Sequence, residues 1–179
     1  MQFFNSKLNL SKAIIKNSIW IICVSIIVLF DQITKNIVVN NMELHDEISV
    51  IKGFFNLYYV RNRGAGLGIL SDARWVFMSL TSVIIICCII LLVIDYFKHW
   101  LAELSIIFVL GGGIGNMIDR IFLGEVVDFF QFQIKFFDFI FNVADIFVSF
   151  GTILFVIYFI FIYDKQKVDS VDDEQLQSN

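Results

Sequence analysis

Two acidic residues in the second half of the sequence are the best placed to do chemistry. Asp128 and Asp145 each stand among bulky apolar residues, in the runs 126–130 and 141–147, and neither has a cation within helical reach along the sequence. A lone carboxyl group in apolar surroundings has a raised pKa. Two such groups brought together would share one proton, and a singly protonated pair can activate water for hydrolysis.

Further polar residues are spaced by three or four positions, so the members of each set share one face of a helix. These sets are Asp31 with Lys35, Asn116 with Asp119 and Arg120, and Asn142 with Asp145. All of them map to the same end of the long apolar segments, where polar groups are energetically costly and usually functional. The spacing leaves two explanations open. Ion pairs such as Asp31–Lys35 or Asp119–Arg120 could only hold helices in place, or the sets could belong to one reactive site.

The sequence lacks the patterns of other hydrolytic chemistries. It contains no His-Glu-x-x-His and no Gly-x-Ser-x-Gly, and neither His45 nor His99 has a Cys or second His at metal-ligand spacing. The glycines at 111–115 favour close helix packing over phosphate binding, because no Lys-Ser/Thr pair follows them. We therefore expect neither a metal ion nor another cofactor, and a carboxylate pair is left as the candidate catalytic group.

The composition is that of an integral membrane protein. Of the 179 residues, 58% are hydrophobic and only 17% are charged, and the mean hydropathy is +0.80. Soluble chains carry roughly 25% charged residues. This composition excludes a disordered chain and a nucleic-acid binder built on basic residues. The net charge of −4 arises partly in residues 164–179, which we expect to form an acidic, solvated tail.

Four apolar runs are long enough to cross a bilayer, which takes about 20 residues. They lie near residues 17–33, 73–94, 101–118 and 139–163, within one membrane-embedded domain, 1–163. Four spans place both termini on one side of the membrane and the segments 34–72 and 121–138 on the other. An excess of lysine and arginine residues marks the cytoplasmic side of a membrane protein, but here these residues are almost equally numerous on the two sides. Only the cluster Lys7, Lys12 and Lys16 favours cytoplasmic termini.

Both of the longer connections contain strand-forming patterns. Residues 54–60 are rich in aromatic residues and precede the glycine-rich run 64–68, and apolar and polar residues alternate over 130–136. These patterns fit two alternatives, namely loops that cover one end of a helical bundle, or a half-buried platform on lipid headgroups beside a site. We predict an all-α membrane protein, a bundle of four transmembrane helices, with a small β element.

Five short blocks occur in order among the four spans. They are Asp31-Gln32-Ile33-Thr34-Lys35; Phe55-Asn56-Leu57 with Tyr59-Val60, Asn62 and Gly64-Ala65; Gly111-Gly112 with Gly115-Asn116 and Asp119-Arg120; Val126-Val127-Asp128-Phe129; and Phe141-Asn142-Val143-Ala144-Asp145. Together they resemble the lipoprotein signal peptidases, the signal peptidase II family, over about residues 25–160. Arg63, Gly66-Leu67 and Phe139-Ile140 depart from the family pattern, which affects loop shape and substrate fit but not the acidic pair.

The resemblance implies an aspartic endopeptidase of the bacterial cytoplasmic (inner) membrane. Its substrates would be prolipoproteins whose cysteine carries diacylglycerol, cleaved on the amino side of that cysteine. In the family, the positions of Asp128 and Asp145 form the catalytic dyad, and those of Asn62 and Arg120 hold the substrate backbone. The other motif positions are implied to support the fold or to orient the dyad: Asp31, Lys35, Asn116, Asp119 and Asn142.

The same resemblance implies the architecture and the surroundings of the protein. We expect a four-helix bundle with an extracytoplasmic β-cradle, an active site at the extracytoplasmic face and both termini in the cytoplasm. Membrane lipids and the lipidated precursor are the expected partners, with no nucleic acid, and a monomer is the expected state.

Two functions of other classes stay open at this point. A proton-coupled small transporter could use the carboxylates as a relay, but it would need polar residues through the span centres, and residues 75–94 are almost entirely apolar. A non-enzymatic assembly factor would use the ion pairs for structure alone, and changes at Asp128 or Asp145 would then alter stability rather than activity.

Overall fold

The computed structural model describes residues 2–64, 74–134 and 137–163, with side chains in 13–64, 74–133 and 138–163. In these residues helices and strands follow one another in the order α1 (Gln2–Asn41), β1 (Glu47–Ile51), β2 (Phe55–Asn62), α2 (Arg74–Val93), α3 (Trp100–Phe122), β3 (Val126–Ile134), β4 (Phe137–Phe141) and α4 (Val143–Tyr158). A π-helical turn, Phe159–Tyr163, continues α4. The predicted class, a mostly helical membrane protein with a small β element, is confirmed.

Among the described residues, four helical segments are long and apolar enough to cross a membrane, judged by length and composition: Ala13–Asn41, Arg74–Val93, Trp100–Phe122 and Val143–Tyr163. The third lies at the centre of the bundle, since α3 packs against α1, α2 and α4. In its apolar 18-residue window 61% of the residues are buried inside the protein, compared with 11% in the corresponding window of each of the other three spans. The outer helices therefore present apolar side chains to lipid.

Glycines on α3 allow this central helix to approach its neighbours. A Cβ atom at Gly112 would collide with the backbone oxygen of Ala144 and with Val148 on α4. A Cβ atom at Gly115 would lie 2.7 Å from Oδ2 of Asp31 on α1. Small residues at such contacts are the usual means of close helix packing in membranes. Here they bring the polar residues of α1, α3 and α4 together.

Two of the predicted span boundaries differ from the structure. The first span was predicted to end near Ile33, but α1 continues to Asn41 because Asp31 and Lys35 are buried inside the protein instead of marking an exposed helix end. The fourth was predicted to start near Phe139, but residues 137–141 form β4, and α4 begins at Val143. Hydropathy does not distinguish a short aromatic strand from the start of an apolar helix.

The four strands form one antiparallel sheet in the order β1-β2-β3-β4. The two patterns that predicted strands correspond to β2 and β3, whereas β1 and β4 were not predicted. In the β2–β3 register Val60 pairs with Asp128 and Asn62 pairs with Val126. Residues 65–68 of the predicted glycine-rich turn, the departure Gly66-Leu67 and the acidic tail 164–179 lie outside the described residues.

One face of the sheet packs on the end of α1. Val127 and Phe129 of β3 share a buried cluster with Val38 and Met42 of α1. Because side chains alternate along a strand, Asp128 points to the opposite face. The sheet therefore presents this acid to the ends of α3 and α4.

Candidate active site

Asn142 links the two acidic residues that the sequence singled out. Its Nδ2 atom donates a hydrogen bond of 2.6 Å to Oδ1 of Asp128. Its backbone N–H donates to Oδ2 of Asp145 at 3.1 Å, and its Oδ1 accepts from the backbone N–H of Asp145 at 3.0 Å. Asp128 and Asp145, which are 17 positions apart in the sequence, therefore meet at one amide residue.

The start of α4 places Asp145 at this point. Asn142 is the N-cap residue, and its reciprocal bonds with Asp145 form a capping box that satisfies N–H groups with no partner inside the helix. The carboxylate consequently lies in the first helical turn, where the helix dipole stabilises negative charge.

Asp128 has a different environment on β3. Its side chain is 2% exposed, and Oδ2 accepts a hydrogen bond of 2.9 Å from Nδ2 of Asn62. Burial and the charge of Asp145 raise the pKa of Asp128 to about 7, although Asn62, Asn142 and Lys35 act in the opposite direction. The two carboxyl groups therefore interact electrostatically.

Asn116 of α3 supports both members of the pair. Its Nδ2 donates to Oδ1 of Asp145 at 2.7 Å. Its Oδ1 accepts from Nδ2 of Asn142 and from Nζ of Lys35, both at 3.0 Å. Because an ammonium group can only donate, Lys35 fixes which end of the Asn116 amide faces it, and the NH₂ end must point to Asp145.

Lys35 also joins two further carboxylates in a buried ion triad. Its Nζ lies 2.8 Å from Oδ2 of Asp31 and 2.9 Å from Oδ2 of Asp119, and all three side chains are at most 4% exposed. The sequence suggested Asp31–Lys35 and Asp119–Arg120 as ion pairs. The first pair forms, but Asp119 pairs with Lys35 instead of Arg120, because Asp119 is on the α3 surface that faces α1.

The two carboxylates of the triad reach the segments that carry the acidic pair. Oδ1 of Asp31 accepts from the backbone N–H of Ala144 at 2.9 Å, and Oδ2 of Asp119 accepts from the backbone N–H of Val127 at 3.1 Å. Ala144 directly precedes Asp145, and Val127 directly precedes Asp128. A buried ion pair is tolerated only when its remaining hydrogen-bonding capacity is satisfied, and these backbone donors help to satisfy it.

Arg120 lies near the pair without a hydrogen bond to it among the described contacts. Its guanidinium donates to the backbone oxygen of Asn116 at 3.4 Å and lies over the ring of Phe77, 5.7 Å from the centroid. Asp145, Asp128 and Asp119 are the charges that act on it. The structure therefore places a cation near the two acids and against Phe77 of α2.

Gln32 is a member of this site to which sequence reasoning assigned no role. Its Nε2 lies 3.2 Å from Oδ2 of Asp31, 3.0 Å from Oδ1 of Asp119 and 3.2 Å from the backbone oxygen of Gly115. It lies in the block 31–35, but its spacing does not reveal that it faces α3. Among the described residues, no group of three or more His, Cys, Asp or Glu side chains could hold a metal ion.

An aromatic surface extends from Asp128 along the same face of the sheet. Phe130 and Phe132 follow Asp128 at alternate positions of β3 and pair with Phe141 and Phe139 of β4. The ring centroids of Phe130 and Phe141 are 5.6 Å apart, and those of Phe139 and Phe141 are 5.2 Å apart. We call these four rings the aromatic floor. It offers an apolar surface that begins beside the acidic pair.

Comparisons with known proteins indicate the family to which this chain is similar. The family described as Signal peptidase (SPase) II matches residues 23–161. The lipoprotein signal peptidase of Brevibacillus brevis is 43% identical over 127 residues, which cover 71% of this chain and 85% of the relative. That of Symbiobacterium thermophilum is 39% identical over 146 residues, covering 81% and 96%. None of these three matches supports the transporter considered above.

Solved structures show the same similarity in three dimensions. One bacterial membrane enzyme structure obtained by the in meso method is 35% identical, with a TM-score of 0.74, and the match covers 80% of this chain and 88% of that one. A second such structure is 34% identical, with a TM-score of 0.72, and the match covers 81% and 94%. The chain therefore belongs to the signal peptidase II family, a family of membrane proteases.

Proposed function

We propose that this protein is a membrane aspartic endopeptidase that removes the signal peptide from diacylglyceryl-modified prolipoproteins, cleaving on the amino side of the lipidated cysteine. The observation that carries the proposal is the meeting of Asp128 and Asp145 at Asn142, with one carboxyl group buried in β3 and the other at the N-terminus of α4. The names of the relatives, lipoprotein signal peptidases, support the substrate class.

The surroundings of the two acids suggest their roles. Asp128, with a pKa raised to about 7, keeps a protonated fraction near neutral pH, and we assign it the role of general acid. Asp145 accepts hydrogen bonds from Asn116 and from the backbone N–H of Asn142, and we assign it the role of general base. In the first step Asp145 takes a proton from water while the water oxygen attacks the scissile carbonyl carbon, and Asp128 donates its proton to the carbonyl oxygen.

The second step breaks the peptide bond and restores the pair. Asp145 passes its proton to the nitrogen of the leaving amine, which becomes the amino group of the lipidated cysteine. Asp128 recovers a proton from a hydroxyl group of the intermediate as the new carboxyl group forms. The reaction consumes one water molecule, and Asp128 and Asp145 return to their starting protonation states.

The neighbouring polar residues have supporting roles in this proposal. Asn62 and Arg120 are proposed to hold the substrate backbone, with Asn62 also donating to Asp128. Arg120 lies where it can stabilise negative charge on the carbonyl oxygen. The residues proposed to orient the dyad are Asp31, Lys35, Asn116, Asp119 and Asn142.

The position of the site fits a substrate that is anchored in lipid. The sheet and the acidic pair lie at the end of the bundle opposite to Lys16, so we place the site at the extracytoplasmic face of the bacterial cytoplasmic membrane, with both termini in the cytoplasm. The sheet then serves as an extracytoplasmic cradle. The acyl chains can stay in the bilayer while the peptide lies over the aromatic floor, and a single chain supplies all of the residues named, so a monomer suffices.

Cleavage of matched precursors by purified protein tests the proposal. A diacylglyceryl-modified precursor should be cut before its cysteine, and the unlipidated twin should not be cut. Asp128→Asn and Asp145→Asn should each abolish cleavage while the protein stays folded in detergent. Asp138→Asn, which changes an exposed acid on β4, should retain activity and serves as the matched control. Full activity of either dyad variant would refute the mechanism, and equal cleavage of both precursors would refute the substrate class.

A further inference from the structure

A second cavity lies behind the site, on the side of α1. It has a volume of about 450 Å³ and lies between the outer half of α1, the end of α3 and the sheet. Leu29, Ile33 and Asn36 form its wall on α1, and Leu123 and Val127 face them. Neither Asp128 nor Asp145 lines it, because Val127 and Asp128 are neighbours on a strand and point to opposite faces. We call this cavity the lateral groove.

The sheet end of the lateral groove is polar. Arg61 of β2 lines it, with Nε donating to the hydroxyl of Tyr59 at 2.9 Å and Nη1 lying 3.5 Å from Glu125. The amide side chain of Asn36 lines the same cavity. Deeper in the groove lie Lys35 and Asp119, which are buried and already paired with each other. The guanidinium of Arg61, with its side chain 34% exposed, is therefore the charged group that an incoming ligand can reach.

The opposite end of the lateral groove is apolar and opens to the lipid-facing surface. Leu29 and Ile33 are 59% and 55% exposed, and Ile26, one turn before Leu29 on α1, is 60% exposed. All three lie within a helix that is long and apolar enough to span a membrane. A ligand that fits must have a polar head near Arg61 and an apolar chain that follows α1 into the bilayer.

We propose that the lateral groove binds a membrane glycerophospholipid, with its phosphate diester on Arg61 and an acyl chain along Leu29 and Ile33. An arginine fork matches the geometry of phosphate oxygens. A lipid in this position covers the α1 side of the Lys35–Asp119 pair and keeps water away from it. Because the ligand binds the folded protein, it also stabilises the fold.

Native mass spectrometry of the full chain in detergent tests the proposal without any measurement of activity. The probes are a phosphatidylglycerol, a diacylglycerol with the same acyl chains but no phosphate, and inorganic phosphate. We expect one phosphatidylglycerol to bind saturably, and the other two probes to bind at least tenfold more weakly. Equal binding of diacylglycerol would overturn the role of the phosphate, and equal binding of inorganic phosphate would overturn a lipid ligand.

Two pairs of variants locate the binding. Arg61→Gln should weaken phosphatidylglycerol binding about tenfold. Arg63 also contacts Glu125, but its side chain is 71% exposed and does not line the groove. Arg63→Gln should therefore leave phosphatidylglycerol binding unchanged. Leu123→Trp should fill the groove and prevent binding without a change of charge. Ile37→Trp, on α1 and 56% exposed, should have no effect. Undiminished binding in Leu123→Trp would overturn the proposed location even if Arg61→Gln did not fold.

Discussion

Oδ1 of Asp31 accepts a 2.9 Å hydrogen bond from the backbone N–H of Ala144, which lies 113 residues further along the chain. This bond ties α1 to the first turn of α4, directly before Asp145. Asp119 makes the corresponding bond to Val127, directly before Asp128. Since Lys35 holds both carboxylates, one buried ammonium group sets the relative position of the two segments that carry the proposed dyad.

Replacing this ammonium group should unfold the site. We expect Lys35→Met to destabilise the protein by about 3–5 kcal/mol, because it leaves the carboxylates of Asp31 and Asp119 buried without a cation. Thermal unfolding in detergent measures the effect. Lys98→Met is the control, since its pair with Asp95 is exposed and should contribute no more than about 1 kcal/mol. Similar stability losses in the two variants would show that the buried triad stabilises the fold no more than an exposed ion pair does.

The pH dependence of cleavage should report the protonation of Asp128. Only the protonated acid can donate to the carbonyl oxygen, so kcat/KM should fall as the pH rises through about 7, the pKa of Asp128. Asn62→Leu removes a hydrogen bond that lowers this pKa, so the fall should move to higher pH. The exposed Asn40→Leu should leave the profile unchanged. If the pH profile of Asn62→Leu coincides with that of the unmodified protein, the pKa of Asp128 does not control the fall in kcat/KM.

Adjacent glycines on α3 should tolerate substitution very differently. Gly112→Ala places a methyl group against the backbone of Ala144 and against Val148, so it should push α4 away and abolish activity. At Gly113 the nearest atom to an added Cβ is 3.6 Å away, which is ordinary contact. Gly113→Ala should therefore be neutral, or stabilise the helix by up to about 1 kcal/mol. Thermal unfolding and cleavage assays check both variants, and equal effects would contradict the packing described.

The aromatic floor should contribute to substrate binding. Phe139 is 44% exposed, so Phe139→Ser should leave the fold intact while it removes apolar surface beside the dyad. We expect KM for the lipidated precursor to rise about tenfold, with little change in kcat, since about 1.4 kcal/mol corresponds to a factor of ten. Phe150→Ala, on the lipid-facing side of α4 and 57% exposed, is the matched control. Unchanged KM in Phe139→Ser would exclude a role of the floor in binding.

Much of this protein could be predicted from local features of the chain. Length and hydropathy suffice to find four spans, because a bilayer requires only a sufficiently long apolar run. The alternation over 130–136 predicted β3, since a strand with one apolar face has a period of two. Asp128 and Asp145 stood out because each acid lies in an apolar run with no nearby cation, and five ordered motifs indicated the family.

Only the tertiary structure decided which polar groups meet. The sequence left Asp119–Arg120 open as a pair that holds the bundle together, but the fold pairs Asp119 with Lys35 from another helix. The role of Gln32 and the backbone bonds at Ala144 and Val127 carry no sequence signal, because their partners are far away along the chain. The aromatic run 137–141 became a strand because β3 was available to pair with it. Polarity along the chain determined which segments enter the membrane, whereas close packing at the α3 glycines determined which buried charges and amides could satisfy one another.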